Sequence, residues 1–415
     1  MSDIKLSICI PTYNREDFLR NALSCCLRDF DFDFPYEIVI NDNASTDRTG
    51  EVAAEFREKG LPIRYYRRKD NGGSLPNLAS AIHHAFGEYI VYLADDDILL
   101  PKQVSDIVRF MDENMDVGVC QAPWTFYDEV DDVDTSQFYN VEKDITFRKG
   151  DFRGVFEYIY ERHIFPEMAV YRASIIRSAW VPREFCFYPF AYLAHFLSQS
   201  DVAFHKEPFY RSVTRSKVKN ARTQAGNEQV MTSWDNYKGG LDYFIYSGIK
   251  RGSMPKNIND LKVYEEKCRI FTLNRMAVAL RFWAGKKDFV KVYELYTRLA
   301  LGGFGDHPDV APRVESLQLF VGCQTLAWKV NATADVDRLL LRGVSNPEAL
   351  ENMLRELGLA DEVAVVVDNG EHPSELADKT AVLFADEADR DGFLALGYRP
   401  GLLFTDAELM RHTLI

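Results

Sequence analysis

The chain has 415 residues, of which 47% are apolar and 27% charged. That composition argues against intrinsic disorder, and the length exceeds one core of roughly 100 to 200 residues, so two or three units are expected. A formal net charge of −14 argues against binding nucleic acid through the overall field, and any phosphate must be met by locally placed groups.

Seven scattered cysteines without C-x-x-C spacing fit a reducing cytosol, and the adjacent Cys25 and Cys26 read as small buried hydrophobes rather than a reactive pair. The sequence enters an apolar strand at once, without a basic and then apolar leader, and no run of about 18 apolar residues occurs. Neither a signal peptide nor a membrane-spanning helix is expected.

In chain order, residues 5–10 read as a strand, followed by Phe18, Leu19, Ala22, Leu23 and Cys26 at helical spacing, with Asn14 and Asp17 as the N-terminal cap. Strands at 37–40 and 63–66 bracket a helix carrying Val52, Ala53 and Phe56 inward. A helix over 76–86 ends at Gly87, and the apolar strand 88–93 then delivers Asp95, Asp96 and Asp97 before Pro101 opens another helix. Strand and helix in alternation predict an α/β fold with a mostly parallel sheet, whose strand carboxyl ends are the place for a ligand.

From about 125 to 150 the pattern breaks, and Asp128, Glu129, Asp131, Asp132 and Asp134 read as a solvated loop. The aromatic-rich stretch 151–215 reads chiefly as core. Residues 216–330 are expected to form a helical region, and residues 331–415 a small α/β domain with strands near 337–341, 363–367, 381–384 and 401–404.

Three successive aspartates after a buried strand raise one another's pKa unless a cation compensates them. A hard divalent ion, Mn²⁺ or Mg²⁺, suits one or two such carboxylates together with substrate phosphates, while Asp97 could instead complement the helix that begins at Pro101.

Four motifs in order strengthen the metal reading. They are Ser7-Ile8-Cys9-Ile10-Pro11-Thr12-Tyr13-Asn14-Arg15, the stretch 37–49 containing Asn41-Asp42-Asn43-Ala44-Ser45-Thr46-Asp47, Asn71-Gly72-Gly73 with Asn77, and the stretch 87–97 followed by Pro101. Together they resemble the family 2 glycosyltransferases of GT-A fold, a Rossmann-like arrangement, over the first half of the chain, residues 1–215. The likeness is greatest to bacterial members that build surface polysaccharides, abequosyltransferase-like proteins among them.

The resemblance implies a metal-dependent, inverting transfer of a hexose-type sugar from a nucleoside-diphosphate sugar to a glycan or lipid-linked acceptor. It places Pro11 and Tyr13 against the base and Asp42 on a base N–H, with Arg15, Asn71, Asn77, Asp95 and Arg211 completing the donor side. Counted back from Pro101, Ala94 takes the first position of the family's Asp-x-Asp motif, leaving Asp96 as the main metal ligand, Asp95 as a ribose or metal partner and Asp97 as an alternative ligand. The family's acidic pair that supplies the base is matched by residues 187–195, which hold no carboxylate. Glu167 is the first choice for that base, with His195 and Glu184 behind it.

Arg215, Lys217, Lys219 and Arg222 form a basic stretch readable as a lid over the diphosphate or as a solvated linker. Ala94 and the missing base also motivate a different reading, a degenerate domain acting as a binding or scaffolding module. A nucleotidyltransferase is disfavoured because no Gly-rich phosphate loop lies near the N-terminus. Expected partners exclude nucleic acid, and peripheral membrane association at the cytoplasmic face and homo-oligomer formation are left open.

Overall fold

The structure, a computed structural model, describes residues 4–179, 186–218, 231 and 233–415. The chain divides into two compact units, residues 1–227 with 233–271, and residues 228–232 with 272–415. The expected helical region 216–330 is therefore not a unit by itself. Its helices Trp234–Lys250 and Ile258–Gly285, the latter up to residue 271, group with the first unit, because Leu241, Phe244, Ile245, Cys268 and Phe271 are buried in that unit's core.

The first unit is built on strands β1 (Leu6–Thr12), β2 (Tyr36–Asp42), β3 (Ile63–Arg67), β4 (Tyr89–Tyr92), β6 (Val117–Gln121), β9 (Ile145–Phe147), β10 (Ala169–Arg172) and β11 (Asp201–Phe204). They form one sheet in the order β3-β2-β1-β4-β10-β6-β11-β9. The strands from β3 through β4 are parallel, and β10 is inserted antiparallel between β4 and β6. This is the mostly parallel α/β arrangement expected.

β1 lies in the middle and buries Leu6, Ile8, Cys9 and Ile10 completely, which is why it reads as an unbroken apolar run rather than an alternating one. Each such aliphatic side chain contributes roughly 1.5–3 kcal/mol by leaving water. Helices α1 (Glu16–Asp29), α2 (Thr49–Glu58), α3 (Ser74–His84) and α4 (Pro101–Glu113) send Leu19, Leu23, Val52, Phe56, Ala81, Ile82, Val104 and Ile107 into the same core.

The start of α1 differs from expectation. Arg15, not Asn14, is the N-cap, and no side chain of the cap itself accepts from the helix. Asn14 instead adopts φ 51° and accepts from the Thr46 N–H at 2.7 Å, while Asp47 from the β2–α2 loop accepts from the Glu16 N–H at 3.1 Å.

The acidic stretch after residue 125 is also more ordered than expected. β7 (Thr125–Asp128) and β8 (Val133–Gln137) form a hairpin in a second sheet, order β5-β12-β7-β8, with β5 (Ile98–Leu99) and β12 (Tyr210–Arg215). Its aspartates make the turn and hold cations: Asp128 Oδ1 accepts from the Val130 and Asp131 N–H groups, and Asp128 and Asp131 both pair with Arg215.

The second unit carries a four-stranded parallel sheet with strands Arg338–Arg342, Ala364–Val367, Thr380–Phe384 and Leu403–Thr405, close to the segments read from sequence. Alternation sends Leu339 and Leu341 to one core with Leu326 and Val330 of helix Leu317–Ala332, and Leu340 to another with Val382, Phe384 and Phe393. Among the described residues no helix is long and apolar enough to cross a membrane. All seven cysteines are free and buried, as small core side chains would be.

Candidate active site

Parallel registry decides what meets at the sheet's carboxyl edge. Thr12 lies opposite Asp42 and Cys9 opposite Tyr92, so the end of β1 stands between the loop after β2 and the segment after β4. Leu93 still bonds Cys9, its N–H reaching the carbonyl at 3.0 Å, and the chain then turns, with the Asp97 N–H on the Ala94 carbonyl at 3.3 Å. A turn this tight cannot aim consecutive side chains the same way. The three aspartates therefore do different work.

Asp95 turns toward β1, where its Oδ2 accepts from the Thr12 hydroxyl at 2.7 Å and its Oδ1 lies 3.0 Å from Nε of Arg15. Burial first, and the neighbouring Asp96 charge second, push the Asp95 carboxyl up to about 7, against the opposing pull of Arg15 and Thr12. Asp96 accepts from Nη2 of the same guanidinium. Arg15 thus bridges the two carboxylates, and its guanidinium also covers the Phe18 ring at 4.5 Å.

Asp97 turns the other way. Its Oδ2 accepts from the Tyr210 hydroxyl at 2.8 Å and its Oδ1 from the Val213 N–H at 2.8 Å, and the residue is buried. Both oxygens of Asp97, expected as an alternative metal ligand, fasten the β4 turn to β12. Tyr210 also accepts from the Ala94 N–H at 3.1 Å.

The fit of a divalent cation can be judged from this donor set. Asp95 and Asp96 offer two hard carboxylates beside a protein cation, and no group of three His, Cys, Asp or Glu able to hold a metal occurs among the described residues. That suits an ion which keeps most of its ligands from water and substrate phosphates, and does not suit a closed protein cage.

Glu167, in the segment preceding β10, stands near the same carboxylates. Burial, followed by the charges of Asp97, Glu167, Asp96 and Asp95, raises the pKa of Tyr92, which places that ring among all four acids. Glu167, Tyr92, Tyr171, Tyr188 and Tyr192 line a narrow cavity with Cys9. Burial, then the Asp97 charge, pushes Glu167 up to about 7, and a hydrogen bond with Tyr188 opposes the shift.

The other expected residues fall into two groups. Tyr13 is 40% exposed, beside half-buried Pro11, at the mouth of this edge. Asp42 is buried, with Oδ1 accepting from the Ser45 N–H at 2.8 Å and Oδ2 from the Tyr65 hydroxyl, so it shapes the loop after β2.

Asn77 lies in the interior: its Nδ2 donates to the Asn41 and Thr12 carbonyls and its Oδ1 accepts from Asn41, which saturates it. Asn71 accepts from Asn43 and from the Gly73 N–H, making the turn before α3. Both asparagines, expected on the donor side, thus also hold the fold around α3. Arg211 is likewise committed elsewhere, gripping Asp134 with Nε at 2.8 Å and Nη2 at 2.6 Å over the Tyr127 ring.

His195, on the helix Tyr188–Leu197, contacts the Ile175 carbonyl at 3.1 Å, Ser178 at 3.2 Å and Gln199 at 2.7 Å, and burial lowers its pKa. That is the environment of a packed histidine, and the expectation of His195 as a base is corrected. Glu184, Lys219 and Arg222 lie outside the described residues. Arg215 is held by Asp128 and Asp131, and the Lys217 N–H by Glu129, so these two residues close the β7–β12 edge rather than a lid.

Sequence reasoning missed Thr12, Tyr65, Tyr188 and Tyr210, each of which donates to a carboxylate from a distant strand or helix. Only strand registry and packing bring these pairs together.

Residues 7–180 match the family description "Glycosyl transferase family 2". Similar proteins include the abequosyltransferase RfbV of Salmonella typhimurium, 33% identical over 127 residues, or 30% of this chain and 38% of that one. Another is the poly(ribitol-phosphate) beta-N-acetylglucosaminyltransferase TarS of Staphylococcus aureus, 29% identical over 115 residues, or 27% of this chain and 19% of that one. The chain thus spans well under two thirds of the length of either relative. Among solved structures, a mannosyltransferase from Pyrobaculum calidifontis in complex with GDP-Man and Mn²⁺ aligns with a TM-score of 0.42 at 16% identity, covering 77% of this chain and 85% of that one.

Proposed function

With residues 7–180 a family 2 glycosyltransferase domain, we propose that this protein transfers a sugar from a nucleoside-diphosphate sugar to a glycan-type acceptor, with inversion and with help from a divalent cation. The observation that carries the reading is the Asp95–Asp96 pair held beside Thr12 at the carboxyl edge of the sheet, with the exposed Tyr13 following Thr12 in the chain. The name of one relative, a poly(ribitol-phosphate) beta-N-acetylglucosaminyltransferase, supports a polymeric acceptor for this chain as well.

Each residue has a task that follows from its setting. Tyr13 stacks its exposed face on the base and Pro11 walls the same side. Asp96 and Asp95 would hold Mn²⁺ or Mg²⁺, and the ion would supply charge neutralisation for the departing diphosphate. Thr12 fixes the Asp95 carboxylate through its hydroxyl, so the pair is oriented before substrate arrives.

Glu167 accepts the proton of the acceptor hydroxyl as oxygen attacks the anomeric carbon. Its desolvated carboxyl, pushed up to about 7, is basic enough for that step near neutrality. Asp97 has a positioning role, fixing the turn that presents Asp95 and Asp96.

The test is transfer and hydrolysis of UDP-, GDP-, dTDP- and CDP-sugars with Mn²⁺ against a panel of glycan acceptors. Turnover of one donor that vanishes in Asp96→Ala supports the reading. Ala94 at the first position of the acidic motif favours a second one, a nucleotide-sugar-binding module without catalysis. Tight nucleotide binding with no turnover on any acceptor would select it.

A further inference from the structure

The Arg15 guanidinium sits on one oxygen of each of the two carboxylates that a cation would use. Its Nε is 3.0 Å from Asp95 Oδ1 and its Nη2 bonds Asp96 Oδ2, while the Thr12 hydroxyl engages the other oxygen of Asp95. The side chains of Asp95 and Asp96 are only 8% and 9% exposed, and that of Arg15 is 22% exposed, so the guanidinium lies toward the opening with the carboxylates beneath it.

The backbone of Arg15 is fixed at the start of α1, its carbonyl accepting from the Leu19 N–H at 2.9 Å. What can move is the side chain.

Charge decides what happens when a divalent cation arrives. When both carboxylates are ionised they carry two negative charges and Arg15 returns one, so the ionised pair is under-compensated with the arginine and neutral with the ion. A guanidinium and a metal ion on the same pair of carboxylates repel each other, and an arginine released there still carries a planar fork suited to phosphate oxygens.

We propose that Arg15 is a displaceable counter-ion: it holds Asp95 and Asp96 in place until a divalent cation takes them over, and the freed guanidinium then engages the diphosphate. The proposal rests on the donor-site reading above. It makes cation and diphosphate binding cooperative through one side chain, since each ligand favours the same swung-out Arg15.

The experiment titrates Mn²⁺ alone into wild type, Arg15→Lys and Arg15→Gln, reading free Mn²⁺ by electron paramagnetic resonance, with thermal melts to establish that each variant is folded. Arg15→Gln should bind Mn²⁺ about tenfold more tightly than wild type, because no cation must be expelled, and Arg15→Lys should remain close to wild type. Asp96→Asn added to Arg15→Gln should abolish the gain, which ties it to this site rather than to the acidic surface.

With pyrophosphate supplied as its Mg²⁺ complex, affinity should fall about tenfold in Arg15→Gln, as a phosphate-binding guanidinium requires. An unchanged or weaker Mn²⁺ affinity in Arg15→Gln, a gain that survives Asp96→Asn, or unchanged pyrophosphate affinity overturns the proposal. Failure of the transferase reading looks different: the Mn²⁺ and pyrophosphate pattern appears, which supports the counter-ion, while no sugar nucleotide is turned over.

Discussion

The hydroxyl of Tyr210 donates to Oδ2 of Asp97 at 2.8 Å and accepts from the Ala94 N–H at 3.1 Å, so one phenol closes both ends of the turn that carries the aspartates. Removing that hydroxyl leaves a buried carboxylate and a backbone N–H each short of a partner. Tyr210→Phe should therefore cost ~2–3 kcal/mol in urea denaturation. A loss below about 0.5 kcal/mol would show that the turn is held by other contacts.

Asp96→Asn should separate from that variant by its phenotype. Asp96 contacts Arg15, whose side chain is partly exposed, so its loss should leave the melting temperature within a few degrees of wild type. Donor turnover should fall by about 10²-fold or more, as when a preorganised stabilising group is removed. Chelation with EDTA should reproduce the loss and Mn²⁺ should restore it. Turnover indifferent to EDTA would remove the cation from the reaction.

These two variants also mark what the sequence could and could not disclose. The strands were legible because a central parallel strand such as β1 is apolar on both faces, and the order of motifs located the carboxyl edge. Direction along a tight turn was not. Asp95, Asp96 and Asp97 are chemically identical in the sequence, and only Thr12, Arg15 and Tyr210, lying 83, 81 and 113 residues from them, assign each a role.

The same reason explains the asparagines and Arg211. Asn77 looks like a polar ligand residue until Asn41, on a neighbouring strand, saturates it. Arg211 looks free until the acidic stretch folds back as β8 and Asp134 grips it. The hairpin was hidden by its own composition, since β8 is wholly exposed and has no apolar face to betray a strand.

Tyr13→Ala tests the donor side without touching the fold. The ring is exposed, so stability should change by less than about 0.5 kcal/mol. Stacking of a base on an aromatic face is worth ~1–3 kcal/mol, so the donor KM should rise by about tenfold or more while kcat is affected less. A KM within twofold of wild type, measured by initial rates at saturating acceptor, would place the base elsewhere.

Glu167 makes a prediction with a sign. Burial, with the Asp97 charge adding to it, holds its carboxyl up to about 7, whereas in the unfolded chain it ionises near its ordinary value of 4.5. Between those two values the unfolded chain releases this proton first, so stability falls as pH rises through the window. Glu167→Gln should flatten that slope in denaturation curves recorded from pH 5 to pH 8, although the similarly raised Asp95 carboxyl retains its own share. Activity should follow the opposite course. A base must be ionised to accept the acceptor's proton, so kcat should climb with pH to a midpoint near 7, and in Glu167→Gln it should be lost with donor affinity retained. Retained turnover in Glu167→Gln, with the same rising limb, would transfer the base to another group and leave Glu167 as an acid of the tyrosine-lined cavity alone.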